Sequence, residues 1–143
     1  MLQRKQTIWL LLAFACGFLT LKFSFFSGHR SLDLNNPKIT YLTAIGNGYN
    51  NIAILILTVA IFIAALISVF LYKNRKLQLR IVLASLVVSL LNIFLYYRGT
   101  QKFADGTYSL TAIFALLIPI FLLLAAMGIY KDEKLVKSMD RLR

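Results

Sequence analysis

The side chains that could carry out chemistry in this sequence are few. His29 is the only histidine and Cys16 the only cysteine. A zinc or haem site needs several such ligands to converge. A nucleophile–base pair would have to combine His29 with a serine in the same stretch. The serines within reach are Ser24, Ser27 and Ser31. Nothing in their spacing marks such a pair, so we expect no metal, no cofactor and no catalytic residue.

A membrane enzyme is nevertheless one alternative. It would combine His29 with the carboxylates of Asp33 and Asp105, which lie in polar segments of the chain. No motif links these three residues, and each is explained without any function as a polar residue of a loop. We therefore predict that the protein is not an enzyme and rank this alternative third.

The elements that would have to position any site are dominated by apolar residues. The hydrophobic fraction is 59% and the mean hydropathy is +0.75, against about 45–50% apolar residues in soluble domains. The apolar residues form four runs, and about 20 are needed to span a bilayer. The runs are 8–26, 51–72, 81–97 and 110–130. We predict an all-α fold, an integral membrane four-helix bundle that forms a single domain over residues 1–143.

The first run also has features of a signal peptide, since Arg4 and Lys5 precede an apolar stretch. Residues 23–28 are aromatic where a cleavage site needs small side chains. We therefore expect the run to be retained as a helix, with Trp9 at the membrane interface. Lys22 lies late enough in the run for its ammonium group to reach the interface.

The connections between the runs are polar. Segments 27–50 and 98–109 are rich in Gly, Asn and charged residues and are predicted to be loops. Within the first, residues 39–45 form either a short strand or a segment along the membrane surface. The basic turn at 73–80 is so short that the second and third helices must be antiparallel. In the tail, 131–143, apolar residues recur at helical spacing, which predicts a short amphipathic cytoplasmic helix that extends the fourth span or bends onto the membrane.

Charge predicts the orientation. The chain has 16 Lys and Arg against 5 Asp and Glu, a net charge of +11. If both termini are cytoplasmic, 11 of the 16 basic residues are on the cytoplasmic side. They are Arg4, Lys5, Lys73, Arg75, Lys76, Arg80, Lys131, Lys134, Lys137, Arg141 and Arg143. Since basic residues accumulate in retained loops, we predict a multi-pass protein of the bacterial inner membrane with an N-in, C-in topology.

Polar residues within the apolar runs indicate how the helices pack. The second, third and fourth runs contain no Asp, Glu, Lys, Arg or His, which argues against a proton relay or cation pathway. Asn92 is predicted to bond a neighbouring helix, and contact with a substrate is the alternative. Small residues spaced four apart allow close helix approach, and a proline is expected to kink its helix. The candidate helix-packing residues are Asn92, Pro119, Ala60, Ala64, Ser68, Ser85 and Ser89.

The basic turn and tail form a candidate docking face for anionic lipid headgroups or a protein partner. Each Lys or Arg near a membrane surface contributes about 1 kcal/mol, although topology alone explains most of this charge. The candidate docking residues are Lys73, Arg75, Lys76, Arg80, Lys131, Lys134, Lys137 and Arg141. We expect no nucleic-acid binding, because the aromatic residues that would stack bases are at the membrane interface instead.

Three segments carry a family resemblance. They are the opening Met-Leu-Gln-Arg-Lys-Gln-Thr-Ile-Trp-Leu-Leu-Leu-Ala, the central Leu-Tyr-Lys-Asn-Arg-Lys-Leu-Gln-Leu-Arg at 71–80, and the closing Lys-Asp-Glu-Lys-Leu-Val-Lys-Ser-Met-Asp-Arg-Leu-Arg. Together they resemble the DUF4293-type family, small four-span membrane proteins of Bacteroidetes-type bacteria with unknown function. The resemblance implies four helices and an inner-membrane location. It supplies no activity, substrate or catalytic residue.

These observations favour a non-enzymatic accessory or scaffold subunit with a basic cytoplasmic face. Its expected partners are membrane lipids and either a larger membrane complex or a second copy of itself. The alternative function is a small transporter or channel subunit for a weakly polar solute, acting as an oligomer.

Overall fold

The computed structural model describes residues 3–30, 40–43, 49–50, 52–101 and 103–140. Four helices make up most of it: α1 (Gln3–Lys22), α2 (Ile52–Phe70), α3 (Arg75–Thr100) and α4 (Ala112–Asp140). The helical class is confirmed. Helices suit these apolar runs because a helix satisfies its backbone hydrogen bonds internally, as lipid requires.

Three of the helices are long and apolar enough to cross a membrane, judged by length and composition. They are α2, α3 and the Ala112–Val136 part of α4. The apolar part of α1, Gln6–Lys22, is shorter. These apolar helices identify the chain as a membrane protein.

The helices pack in a ring, in which α1 and α3 each contact both α2 and α4. Inward-facing positions recur at alternating intervals of three and four residues. This spacing keeps one face of each helix against a neighbouring helix that crosses it at a small angle. On α2 the buried residues are Ile54, Thr58, Ile61, Ala65 and Ser68. On α3 they are Gln78, Val82, Ser85, Ser89, Asn92, Tyr96, Gly99 and Thr100. The buried faces of α2 and α3 therefore carry polar side chains among the apolar ones.

The ends of the helices differ from the apolar runs. The second helix ends at Phe70, and a short 3₁₀ turn, Leu71–Lys73, leads through Asn74 into α3. The basic residues from Arg75 onward are thus already helical, six residues before the predicted start at 81. Hydropathy marks the segment that suits lipid, whereas Lys, Arg, Gln and Leu are all good helix formers outside it.

The fourth helix continues past its apolar stretch to Asp140, so the described part of the tail extends the fourth helix. Pro119 lies within this helix, which continues on both sides of it.

The two long connections form a sheet that the all-α prediction omits. Its strands are β1 (Phe26–Arg30), β2 (Thr40–Thr43), β3 (Tyr49–Asn50) and β4 (Phe103–Tyr108), in the order β3-β2-β1-β4. Strand β1 is antiparallel to β2 and to β4, and β2 is parallel to β3. Residues 40–43 are therefore a strand, and the segment from 26 to 30, partly assigned to the first helix, is a strand too.

The β1–β4 pairing depends on a close backbone approach. Gly106 of β4 lies opposite Gly28 of β1. A Cβ atom on Gly106 would fall 2.5 Å from the carbonyl oxygen of Ser27 and 2.5 Å from a ring carbon of Phe26. Only glycine fits at this position without a shift of the neighbouring strand.

An aromatic cluster joins the sheet to the helices. Phe25 stacks on Tyr96 of α3 with ring centroids 4.4 Å apart, and Phe26 contacts Phe103 edge-on at 5.3 Å. Leu42 of β2 is fully buried in the same cluster. The sheet thus covers the end of the bundle at which α1 finishes and α2 begins.

Candidate functional site

The end of the bundle opposite the sheet gathers the polar contacts that link three helices. The side-chain amide of Gln6 in α1 donates a hydrogen bond to the Asp132 carboxylate in α4, with an N–O distance of 2.5 Å. The Arg75 guanidinium at the start of α3 donates to the backbone carbonyl of Asp132 at 3.2 Å. Asp132 is 6% exposed. We call this group, Gln6, Arg75 and Asp132, the Asp132 junction.

A further contact supports the same end. The amide of Gln78 in α3 donates to the backbone carbonyl of Ser68 in α2 at 2.8 Å. Ser68 in turn donates its hydroxyl to the carbonyl of Ala64. Because carbonyls in the last turn of a helix have no partner within it, Gln78 satisfies one and ties α2 to α3 beside the basic turn.

The Asp132 junction places the predicted docking residues of the turn and of α4 at one end of the bundle. Lys76, Arg80, Lys131 and Lys134 are exposed, and Arg75 is half-buried because of its bond to Asp132. The side chains of Lys73 and Lys137 and all of Arg141 lie outside the described residues.

The fourth helix projects beyond this junction. It has 29 residues, a length of about 43 Å at 1.5 Å per residue. The eight residues after Asp132, from 133 to 140, account for about 12 Å of that length. On this projecting part, Leu135 is 52% and Val136 38% exposed beside the exposed Lys134.

A cavity of 220 Å³ lies between α1 and α4 next to the junction. Its lining residues are Gln6, Trp9, Leu124, Met127, Gly128, Lys131 and Asp132. It therefore joins an apolar wall, which lies in the apolar run 110–130, to the polar groups that directly follow that run.

A second polar cluster lies inside the bundle between α2 and α3. The amide nitrogen of Asn92 donates to the Thr58 hydroxyl at 3.0 Å, and Thr58 donates to the carbonyl of Ile54 at 2.7 Å. Tyr96 also hydrogen-bonds with Thr58. Asn92 is 4% exposed, and among the described residues its amide oxygen has no hydrogen-bond partner.

The structure buries some of the candidate helix-packing residues and leaves others partly or fully exposed. Ser68, Ser85, Ser89 and Asn92 are buried, and Asn92 hydrogen-bonds to Thr58 of α2. Ala64 and Pro119 are half-buried, and Ala60 is exposed on the outside of α2. Ala60 therefore contributes nothing to the interior of the bundle.

Two residues of the enzyme alternative lie in neighbouring strands of the sheet. The β1–β4 register sets His29 opposite Asp105, but their side chains and the whole of Asp33 lie outside the described residues. Within the described part of the chain, no group of three or more His, Cys, Asp or Glu residues could hold a metal ion.

Sequence reasoning did not single out Gln6, Asp132, Gln78 or Thr58. A signal existed for Gln78, because Gln78, Val82, Ser85, Ser89 and Asn92 follow one another at alternating intervals of four and three residues. That period extends the inward face of α3 back into the basic turn. Asp132 had no such signal, because in sequence it is one acid among the charges of the tail.

Comparison with known proteins gives one match. A family model described as a domain of unknown function (DUF4293) matches residues 2–142. No curated protein and no solved structure matches the chain.

Proposed function

The chain belongs to the DUF4293 family, a domain of unknown function, and on that premise we propose that it is a non-enzymatic accessory or scaffold subunit of the bacterial inner membrane. All four helices cross the membrane, with both termini on the cytoplasmic side. The protein binds a larger membrane complex, or a second copy of itself, and presents a basic face to the cytoplasm.

The proposed orientation is supported by the Asp132 junction. Its contacts bring the start of α1, the start of α3 and the end of the apolar part of α4 to one end of the bundle. Of the 11 basic residues counted for the cytoplasmic side, the nine that belong to the described part of the chain are in the segments at or next to that end. Positive charge collects on the cytoplasmic side, so this end is assigned to the cytoplasm.

The observation that carries the accessory role is the projecting part of α4. It is a continuous helix beyond the apolar stretch, and it exposes Leu135 and Val136 beside Lys134. The Asp132 junction fixes its base, so little freedom is lost when a partner binds. An apolar and basic face of this kind suits a partner with an acidic rim around an apolar patch.

The test is photo-cross-linking in cells from probes placed at Leu135 and Leu77, both exposed. A matched control probe is at Leu123, which is 46% exposed on the same helix within the apolar run 110–130. We expect one protein to be captured from the first two positions and not from Leu123. Lys134→Glu should abolish that capture. A purified monomer with no protein captured from either cytoplasmic probe would refute the accessory role.

One observation favours a second function, a transporter or channel subunit for a weakly polar solute. The buried amide oxygen of Asn92 lacks a partner, and an unsatisfied buried acceptor costs about 1–3 kcal/mol. A solute with a hydrogen-bond donor would satisfy it. Flux into liposomes that requires Asn92 and is lost in Asn92→Leu would support this function, and equal flux through both proteins would reject it.

A further inference from the structure

The cavity beside the Asp132 junction has a composition that changes along its length. Leu124 and Met127 form an apolar wall within the candidate span of α4. Lys131 and Asp132 follow directly, at the point where the apolar sequence ends. A molecule that fills this space must therefore be apolar at one end and charged at the other.

The volume limits what part of such a molecule the cavity can enclose. Pockets that enclose a whole drug-sized ligand are about 300–1,000 Å³, and this one is 220 Å³. One water occupies about 30 Å³ of liquid, so the cavity holds the volume of several waters. It is large enough for a lipid headgroup and too small for the acyl chains, which would remain outside against the exposed faces of the helices.

The charged groups define the headgroup. The Asp132 carboxylate is buried and accepts a bond from Gln6 at one oxygen, whereas a carboxylate offers about four acceptor positions. It can therefore accept further bonds from a ligand ammonium group. Lys131 is exposed and lines the same cavity, where its ammonium group can pair with a phosphate.

Trp9 adds a third element of recognition. Trp9 lines the cavity on the α1 side. Its ring stacks on Phe121 through one face, and the other face can attract a cation placed within about 6 Å of it. Tryptophan is also favoured at the level of the lipid headgroups. The cavity thus presents a carboxylate and an aromatic ring for a cation, and a lysine for an anion.

We propose that this cavity binds the headgroup of phosphatidylethanolamine. The lipid ammonium group donates to the Asp132 carboxylate and lies by Trp9, the phosphate pairs with Lys131, and the acyl chains leave along Leu124 and Met127. The site depends neither on the accessory role nor on which side of the membrane this end occupies.

The experiment is native mass spectrometry of the full-length protein with lipids of identical acyl chains. Phosphatidylethanolamine, phosphatidylcholine and phosphatidylglycerol are added in equal amounts. Phosphatidylcholine keeps the phosphate and the positive charge but has no N–H donor, and phosphatidylglycerol keeps the phosphate alone. We expect phosphatidylethanolamine to be retained at least about tenfold over either, the factor typical of a charge-assisted hydrogen bond.

Two variants test the named contacts. Asp132→Asn keeps an oxygen that can accept from Gln6 and should remove the preference over phosphatidylcholine. Lys131→Gln changes an exposed side chain, so folding is not at risk, and should weaken retention of phosphatidylethanolamine about tenfold. Lys134→Gln is the matched control, exposed on the same helix and outside the cavity. Equal retention of the three lipids, a preference for phosphatidylglycerol, or equal effects of Lys131→Gln and Lys134→Gln would overturn the proposal.

Discussion

Two helical glycines allow a direct measurement of what the Asp132 junction contributes to stability. A Cβ atom on Gly128 of α4 would fall 2.8 Å from the Cγ atom of Gln6, which must then move. A Cβ atom on Gly17 of α1 would fall 3.7 Å from the Cβ atom of Phe62, an ordinary contact. Gly128→Ala should therefore break the Gln6–Asp132 hydrogen bond, and Gly17→Ala should break nothing.

The magnitudes follow from two opposing effects. Replacing a helical glycine by alanine stabilises by about 1 kcal/mol. Losing a hydrogen bond to a charged group costs about 1.5–3 kcal/mol, and both Gln6 and Asp132 are buried. We expect Gly128→Ala to be less stable than wild type by about 0.5–2 kcal/mol and Gly17→Ala to be more stable by about 1 kcal/mol.

The assay compares the fraction of each protein that stays monodisperse in detergent after heating at one fixed rate, because the unfolding of membrane proteins is commonly irreversible. At about 4 °C per kcal/mol, the two glycine variants should differ in melting temperature by about 6–12 °C. Adding Gln6→Ala to Gly128→Ala should cost little more, since the bond is already lost. Equal melting temperatures for Gly128→Ala and Gly17→Ala would refute the reasoning.

Two further predictions concern the sheet and the interior cluster. Gly106→Ala should destabilise by about 1–3 kcal/mol, the usual cost of forcing atoms into a filled space, because its Cβ atom meets the backbone of Ser27 and the ring of Phe26. Thr58→Val removes the acceptor of the Asn92 amide and should cost about 1–3 kcal/mol, more than Asn92→Leu, which removes the unpartnered oxygen as well.

Both predictions are checked in the same heating assay, and Thr107→Ala is the control for Gly106→Ala. Thr107→Ala changes an exposed neighbour of Gly106 and should stay within about 0.5 kcal/mol of wild type. If Gly106→Ala and Thr107→Ala have the same melting temperature, the close approach of the strands is not the reason that position 106 requires glycine. If Asn92→Leu is less stable than Thr58→Val, the unpartnered oxygen carries no cost and the account of this cluster is wrong.

The helices were predictable because lipid imposes a simple rule. About 20 uncharged residues must be helical to cross it, so the runs at 51–72 and 110–130 lie over α2 and α4. The ends of the helices were not predictable, because the rule says which residues suit lipid and not where a helical backbone stops. Arg75 and Lys131 leave the lipid-compatible segment without leaving the helix.

The sheet and the Asp132 junction could not be predicted from the sequence, for a different reason. Phe26 pairs with Tyr108 across more than 80 residues, and strand pairing depends on partners more than on local preference. Gln6 and Asp132 are 126 residues apart. Asn92 was recognised because a polar side chain in an apolar run is conspicuous by itself, whereas Gln6 lies outside the predicted run and matters through its contacts.

The sheet also sets an order of events during synthesis. Strand β1 belongs to the connection between α1 and α2, and its neighbour β4 belongs to the connection between α3 and α4. The 73 residues that follow Arg30, up to and including Phe103, take about 4–15 s to translate. During that interval the edge of β1 that will face β4 is unpaired, and such edges recruit other strands. A nascent chain stalled after α3 would expose this edge, so β1 stays open to pairing with other chains until β4 has been made.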